Sequence, residues 1–574
     1  MRVVLLTAAV VCFAVAATVA VRGRVDFLVA QYRIPVRGTS LPGAIGCVFL
    51  IGGASQVTRA RREQLIADTT GWIRRHSRVI AAAVAVATLL LGIAKGAFVA
   101  AGADPYGYVS QSGLWTAGNP IQIEPLLAID APWPNADWTF APLGYRPGLV
   151  RGTIVPTYPI GLPLQMAALS RVFGDQALFL VVPFLGALAV WLSFAIARRI
   201  ASPEIAALVA ILAACNPVFL VQLVQPMSDV PVTAWWLAAL ALAFGSSLRS
   251  ALAAGAAASL AILTRPNTVP LMLPLLLPLV LGPEPVTKRL ARAGAALVGT
   301  VPGIAVVAWS DIVFYGSPFR SGYGPVGEIY SGARAADMTM GYLRALWSTY
   351  TPLIYAAFIV PVLTFATNAQ VSAELRRFCW TACLFAVTLL ALYVTYSVFD
   401  IRFLLPAVAV LLIASTAAID VLTLSWSQTA RAAAFAVALT LLPLAFVHRA
   451  TQDGAWRLKG EFATRFAESG HRARSLPKNA VLLSIVESGS LRYYGGHLTM
   501  RFDWLPEESL DQALAYLTSH GHDVYLAGTP AEVHEFREKF ARSPIVRSVK
   551  SDTSVLERES DVAWFVLARS PSER

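Results

Sequence analysis

One aspartate stands at the edge of an apolar run and directly before a cluster of tyrosines, in GADPYGYVSQSGLW, where Asp104 is followed by Pro105, Tyr106, Gly107 and Tyr108. A carboxylate in that place can take a proton from an attacking hydroxyl. The same residues also suit a plainer role, a helix-starting aspartate with aromatic rings at the level of lipid headgroups. The composition of the next forty residues favours chemistry. The stretch continues through Trp115, Glu124, Asp130, Trp133, Asp137, Trp138 and Tyr145 without an apolar span, and long loops of this kind are often functional. Aromatic faces beside carboxylates match a sugar, whose C–H faces stack and whose hydroxyls need acceptors. Tyr106, Tyr108, Glu124, Asp130 and Asp137 are therefore candidate substrate-binding residues.

Three further residues join Asp104. Asp229, in QPMSDVP, begins another apolar run, and a carboxylate at the centre of a bilayer would cost roughly 2.5–3.5 kcal/mol, so an interfacial position is expected. It can cap the following helix, face a site, or do both. Arg265, in LTRPN, and Arg402, in DIRFLLP, lie between apolar runs. A guanidinium there can grip a phosphate with two parallel hydrogen bonds. It can equally snorkel to headgroups, and Arg402 can pair with Asp400. Lys95 is a lesser phosphate candidate.

Other chemistries lack their residues. No histidine falls in the loop after Asp104, and no GxxxxGK[ST] phosphate loop occurs. None of the five cysteines forms a CxxC pair. YYGG at 493–496 reads as a turn. A divalent metal is compatible with the acids, but the sequence does not require one.

The elements that must position these residues are membrane helices. Of 574 residues, 56% are hydrophobic and only 14% charged, too few charges to cover a soluble chain of this length. About thirteen transmembrane segments are expected, near 3–21, 38–55, 79–100, 177–199, 204–223, 231–247, 250–264, 268–282, 293–313, 352–367, 378–397, 403–419 and 431–448. The first resembles a secretory signal but reads as an uncleaved span. The net charge of +12 sits largely in short clusters between these runs, where it orients helices and argues against nucleic-acid binding. Arg59, Arg61, Arg62, Arg74, Arg75 and Arg78 belong in the cytoplasm. Alternation then puts Arg198/Arg199, Arg249, Lys288/Arg289/Arg292 and Arg376/Arg377 there too, and leaves Arg22, Arg24, Arg33 and Arg37 outside as the one disagreement.

This arrangement predicts a polytopic α-helical membrane protein in three parts. Residues 1–78 hold two spans and a basic cytoplasmic loop, 79–450 a membrane core with an outer loop at 101–176, and 451–574 a small extracytoplasmic α/β domain. In the last part NAVLLSIVE, DVYLAG and VAWFVLAR read as strands, with helices at SLDQALAYLTSHG and PAEVHEFREKFARS.

An aspartate followed by a tyrosine-rich juxtamembrane helix resembles the first outer loop of the glycosyltransferase-C superfamily. That group includes bacterial protein O-mannosyltransferases and lipid A aminoarabinose transferases. The likeness continues through PTYPIGLPLQMAALSRVFG (156–174), NPVFLVQLVQPMSDVPVTAWW (216–236), LTRPN and DIRFLLP, and covers about residues 79–450. The resemblance implies transfer of a sugar from a polyprenyl-phosphate-linked donor to an outer-face acceptor, with inversion, by a multi-pass protein of the cell envelope. It makes Asp104 the catalytic base and gives Asp229 a place in the catalytic site, with Arg265 and Arg402 on the phosphate. The family's Glu-Lys or His-Pro-Pro pattern before the re-entering helix is absent, Pro156-Thr157-Tyr158-Pro159 standing there instead. Two rival readings remain: a transporter or flippase using the acids as a coupling pathway, and a scaffold with a decayed site. The acids' place in outer loops and the lack of a hydropathy repeat count against transport.

Overall fold

The computed structural model describes residues 2–29, 32–127, 131–350, 352–359, 361–362, 371–548 and 562–571. Among these, seven helices are long and apolar enough to cross a membrane: Val3–Arg22, Arg59–Lys95, Asp175–Ile200, Val286–Tyr315, Ala373–Val394, Ile401–Leu422 and Gln428–Gln452. An eighth crossing is available if Pro203–Cys215 and Pro217–Leu223, bent by 56°, form one span. The bend falls where Pro217 ends the first helix, and the Asn216 side chain caps the second by accepting from the Phe219 amide at 3.1 Å. Four shorter apolar helices, Ser40–Ser55, Asp229–Ala243, Leu248–Thr264 and Pro266–Val280, occupy four more of the expected segments. The segment expected at 352–367 begins as a 3-10 turn, Pro352–Phe358, and its end lies outside the described residues. The chain is a multi-pass membrane protein.

Burial separates the centre of the bundle from its rim. In Ile401–Leu422, 78% of the apolar window is buried, against 6% in Gln428–Gln452, so the former runs through the core and the latter lies at its margin, half-buried. The helix expected from 79 to 100 starts earlier and stops at Lys95. At 1.5 Å per residue its 37 residues span about 55 Å, more than a hydrocarbon core of about 30 Å. The excess is the arginine-rich first half.

The outer loop carries structure of its own. After an irregular linker at 96–103, the helix Asp104–Ala117 leads into a three-stranded antiparallel sheet. Its central strand, Thr153–Pro156, lies between Gln122–Ile123 and Tyr145–Pro147. The amphipathic helix Gly161–Phe173 then returns the chain to the bundle.

In the tail, strands form at Ala480–Leu483, Asp523–Gly528 and Ala563–Ala568, and helices at Leu510–Ser519 and Pro530–Lys539. A reciprocal capping box between Thr529 and Glu532 starts the second helix. A short strand not expected from the sequence, Leu498–Met500, pairs in parallel with Ala480–Leu483 and completes a four-stranded mixed sheet. The expected turn at YYGG is a wide helical turn, Leu491–Gly495. Residues of one face of the sheet, among them Val481, Leu483 and Met500, belong to the same apolar cluster as the membrane bundle.

Candidate active site

Gly107 is where local sequence first shapes the site. A Cβ on it would fall 2.2 Å from the Tyr158 ring, so only glycine lets that ring lie against the first turn of the Asp104 helix. Tyr158 thereby brings its hydroxyl to Asp104 and donates to Oδ1 at 2.6 Å. Oδ2 of the same carboxylate accepts from Arg402 at 3.0 Å. The helix-capping alternative does not apply: the residue at the cap is Ala103, it makes no side-chain cap bond, and the Asp104 carboxylate is turned to other partners. Asp104 keeps 27% of its side chain exposed. Two of its roughly four acceptor positions are used, which leaves others for an incoming hydroxyl.

Arg402 ties the aspartates together. Its guanidinium lies 3.0 Å from Asp104, 2.9 Å from Asp400 and 4.0 Å from Asp229. Asp229 has no exposed surface, and its Oδ1 accepts from Arg265 at 2.7 Å. Like Asp104, it leaves the capping to its neighbour, and Ser228 makes no side-chain cap bond either. Ser228 instead accepts from Tyr108 at 3.0 Å and from Arg265 at 3.1 Å. Both guanidinium groups lie over the Phe403 ring, at 5.5 Å for Arg265 and 5.3 Å for Arg402. Burial raises the Asp400 carboxyl above the ordinary range, against the opposing pull of Arg402.

Four separated segments therefore meet in one polar cluster of alternating charge, Asp104–Arg402–Asp229–Arg265. Nη1 of Arg265 and Oδ2 of Asp229 are buried with no hydrogen-bond partner among the described residues. A buried guanidinium nitrogen without an acceptor suits an anionic oxygen. No group of three or more His, Cys, Asp or Glu in metal-binding geometry occurs among the described residues. Arg402 itself stands among the three aspartates.

The other expected residues lie elsewhere. Tyr108 joins the cluster through Ser228, whereas the Tyr106 ring packs against Gly489 of the tail. Glu124 is fully buried and ion-paired with Arg492. Asp137 is exposed and lines a separate cavity of about 420 Å³ with Trp133, Asn135, Trp138 and Arg151. Asp130 lies outside the described residues. Sequence reasoning passed over Tyr158, Ser228 and Phe403, although they stand inside PTYPIG, QPMSDVP and DIRFLLP. Tyr323, on the hairpin Arg320–Ser321/Gly324–Pro325, meets Tyr158 edge-on at 6.1 Å and carried no signal of its own.

Residues 158–309 match the family model for dolichyl-phosphate-mannose-protein mannosyltransferases. Among solved structures, ArnT from Cupriavidus metallidurans is similar in its apo state and bound to undecaprenyl phosphate. Both comparisons have a TM-score of 0.53, with 14% and 15% identity, and cover 87% of this chain and 98% of that one. The archaeal oligosaccharyltransferase AglB from Archaeoglobus fulgidus, in complex with an inhibitory peptide and a dolichol-phosphate, has a TM-score of 0.51 at 11% identity, covering 82% of this chain and 71% of that one. No curated protein matches in sequence. In fold, and in the family model over 158–309, the chain resembles the glycosyltransferase-C superfamily of membrane glycosyltransferases.

Proposed function

We propose that this protein is a membrane glycosyltransferase that moves a sugar from a polyprenyl-phosphate-linked donor to an acceptor at the outer face of the bilayer. The observation that carries the reading is the convergence of Asp104, partly exposed, with two arginines, one bearing a buried and unpartnered nitrogen. The lipid-bound relatives support the donor class, since one holds undecaprenyl phosphate and another a dolichol-phosphate.

In this reaction Asp104 takes the proton of the acceptor hydroxyl as its oxygen attacks the anomeric carbon. The bond from that carbon to the phosphate oxygen breaks, and its electron pair leaves with the lipid phosphate. Arg265 meets the growing charge on that phosphate, and Arg402 holds Asp104 and Asp229 in register. Displacement from the opposite face inverts the anomeric centre. Tyr108 steadies Ser228 beside Arg265, and Asp137, in its separate cavity, takes no part in this step. Glu124, ion-paired in the interior, has a structural role, and so has Tyr106. The tail from 451 is an α/β unit on the outer side. It sits at the Asp104 end of the helix Arg59–Lys95, where Lys459 donates to the Ala94 carbonyl, and the arginine cluster marks the opposite end.

Purified protein in lipid nanodiscs, offered a panel of undecaprenyl-phosphate-linked sugars and envelope acceptors, should release undecaprenyl phosphate. Asp104→Asn, of nearly the same shape, should lower transfer by about 10²-fold or more, because an amide cannot accept the proton. Retained transfer by an equally expressed Asp104→Asn protein would remove the proposed base.

A further inference from the structure

The linker that delivers Asp104 to the site has no regular structure over residues 96–103. Its position must come from side contacts, which the tail shares with the bundle, where the Ala97 amide donates to the Val224 carbonyl at 2.7 Å and Phe98 stacks on Phe179 at 5.2 Å. The Tyr494 hydroxyl accepts from the Ala100 amide at 2.8 Å, and Phe466 packs against Val99 and Ala101. On the other side of Asp104, the Tyr106 ring lies so close to Gly489 that a Cβ there would come within 2.2 Å of it. Ser488 accepts from the Leu143 amide at 3.0 Å. Segment 487–495 is thus wedged against both flanks of the aspartate.

One side chain fastens this wedge. Arg492 donates through Nη1 to the buried carboxylate of Glu124, and through Nη2 to the carbonyls of Phe140 and Thr499, each at 3.3 Å. Nε donates to the Thr499 hydroxyl at 3.3 Å. One guanidinium therefore joins the outer loop, the wedge and the tail sheet. Glu124 also accepts from the Leu126 amide at 3.3 Å, so its carboxylate is held from both sides.

We infer that Arg492 is a positioning residue for the reaction: by locking segment 487–495 onto Glu124, it fixes the place of Asp104 from behind. This rests on the proposed transfer reaction. A displacement of the base by about 1 Å is enough to cost about 10²-fold in rate. Lysine cannot replace the fork of donors, since it can serve Glu124 but not the two carbonyls as well.

The test uses full-length protein in nanodiscs, with hydrogen exchange, transfer kinetics and binding of undecaprenyl phosphate alone. In Arg492→Ala, amides of 97–110 should exchange at least about tenfold faster, while those of the helices Val181–Ile200 and Leu405–Leu422 stay unchanged. The kcat should fall about 10–100-fold, with KM for the lipid donor and the Kd for undecaprenyl phosphate within about threefold. Arg492→Lys and Glu124→Gln, milder changes that keep the protein folded if alanine does not, should fall between. The double variant Glu124→Gln/Arg492→Ala should be no worse than Arg492→Ala, since one interaction is removed only once. Unchanged exchange at 97–110, or faster exchange with kcat intact, overturns the inference. A wild type that transfers no sugar, with the exchange pattern as expected, refutes the transferase reading and leaves the clamp standing.

Discussion

Asp229 and Arg265 are the residues whose removal has two effects at once. The carboxylate is wholly buried and its partner nearly so, at 12% exposure. Deleting one member of such a pair leaves an uncompensated charge, at a cost of about 3–5 kcal/mol. Arg265→Ala is therefore expected to lower both thermal stability and transfer. The double variant Asp229→Asn/Arg265→Ala removes the orphaned charge and should regain most of the stability but none of the transfer. Arg265→Lys should stay folded and recover only part of the activity. Thermal unfolding and turnover measured on the same preparations check this, and a double variant that recovers both would confine Arg265 to structure. The four charged residues of this cluster were legible in the sequence because ionisable side chains at the ends of apolar runs are costly and therefore conspicuous. Their partners Tyr158 and Ser228 were not. A tyrosine at the membrane edge looks like an interfacial anchor until its hydroxyl is seen 2.6 Å from a carboxylate 54 residues away.

At the scale of elements, the short turn that begins at Glu487 behaves as a titratable joint. Glu487 has no exposed surface, accepts from Arg465 at 2.6 Å, and lies beside Glu532. Burial, then the shared hydrogen bond and charge of Glu532, push its carboxyl up to about 8. At Glu532 burial acts in the same sense, but hydrogen bonds from Glu487 and from the Val486 and Thr529 amides outweigh it and leave that carboxyl low. The folded tail thus keeps a proton on Glu487 that the unfolded chain releases near 4.5. Stability from this group is complete below about 4.5 and is lost as pH climbs through about 8. Glu532 contributes in the opposite sense, and only on acidification below the ordinary carboxylate range. The tail should therefore unfold at a lower temperature at pH 8.5 than at pH 5.5, and Glu487→Gln should flatten that dependence. Circular dichroism melts at the two pH values decide it, a higher melting temperature at pH 8.5 being the contrary result. The strands and helices of this region were readable from alternation and capping residues. Leu498–Met500 was not, since three residues carry too little pattern to register as a strand.

For the whole molecule, hydropathy located the apolar segments, because that signal is local. Contacts between the tail and the outer loop are not local, and they change the picture. Trp138 stacks on Trp504 at 4.8 Å, Trp133 meets Tyr516 edge-on at 5.4 Å, and the Thr139 carbonyl accepts from the Arg501 amide at 2.6 Å. Reading Glu124 as a sugar ligand followed from its place in an acidic, aromatic loop, and nothing in that loop could reveal Arg492, 368 positions away. Since the tail grips the loop that carries Asp104, the two must lie on one side of the bilayer. A phosphatase reporter fused after Arg574 should be active, and a cytoplasmic reporter active there would invert the topology.

The grip on residues 97–106 also has a consequence in time. Ribosomes deliver Asp104, Asp229, Arg265 and Arg402 in that order, yet Tyr494, which braces the Ala100 amide, emerges after all of them. Between the synthesis of Arg402 and that of Tyr494 the nascent chain holds every charged member of the site without the part that steadies the first. On the proposed reading, competence comes only when the last fifth of the polypeptide has crossed the bilayer and folded, and a stalled or clipped product should stay silent in the membrane.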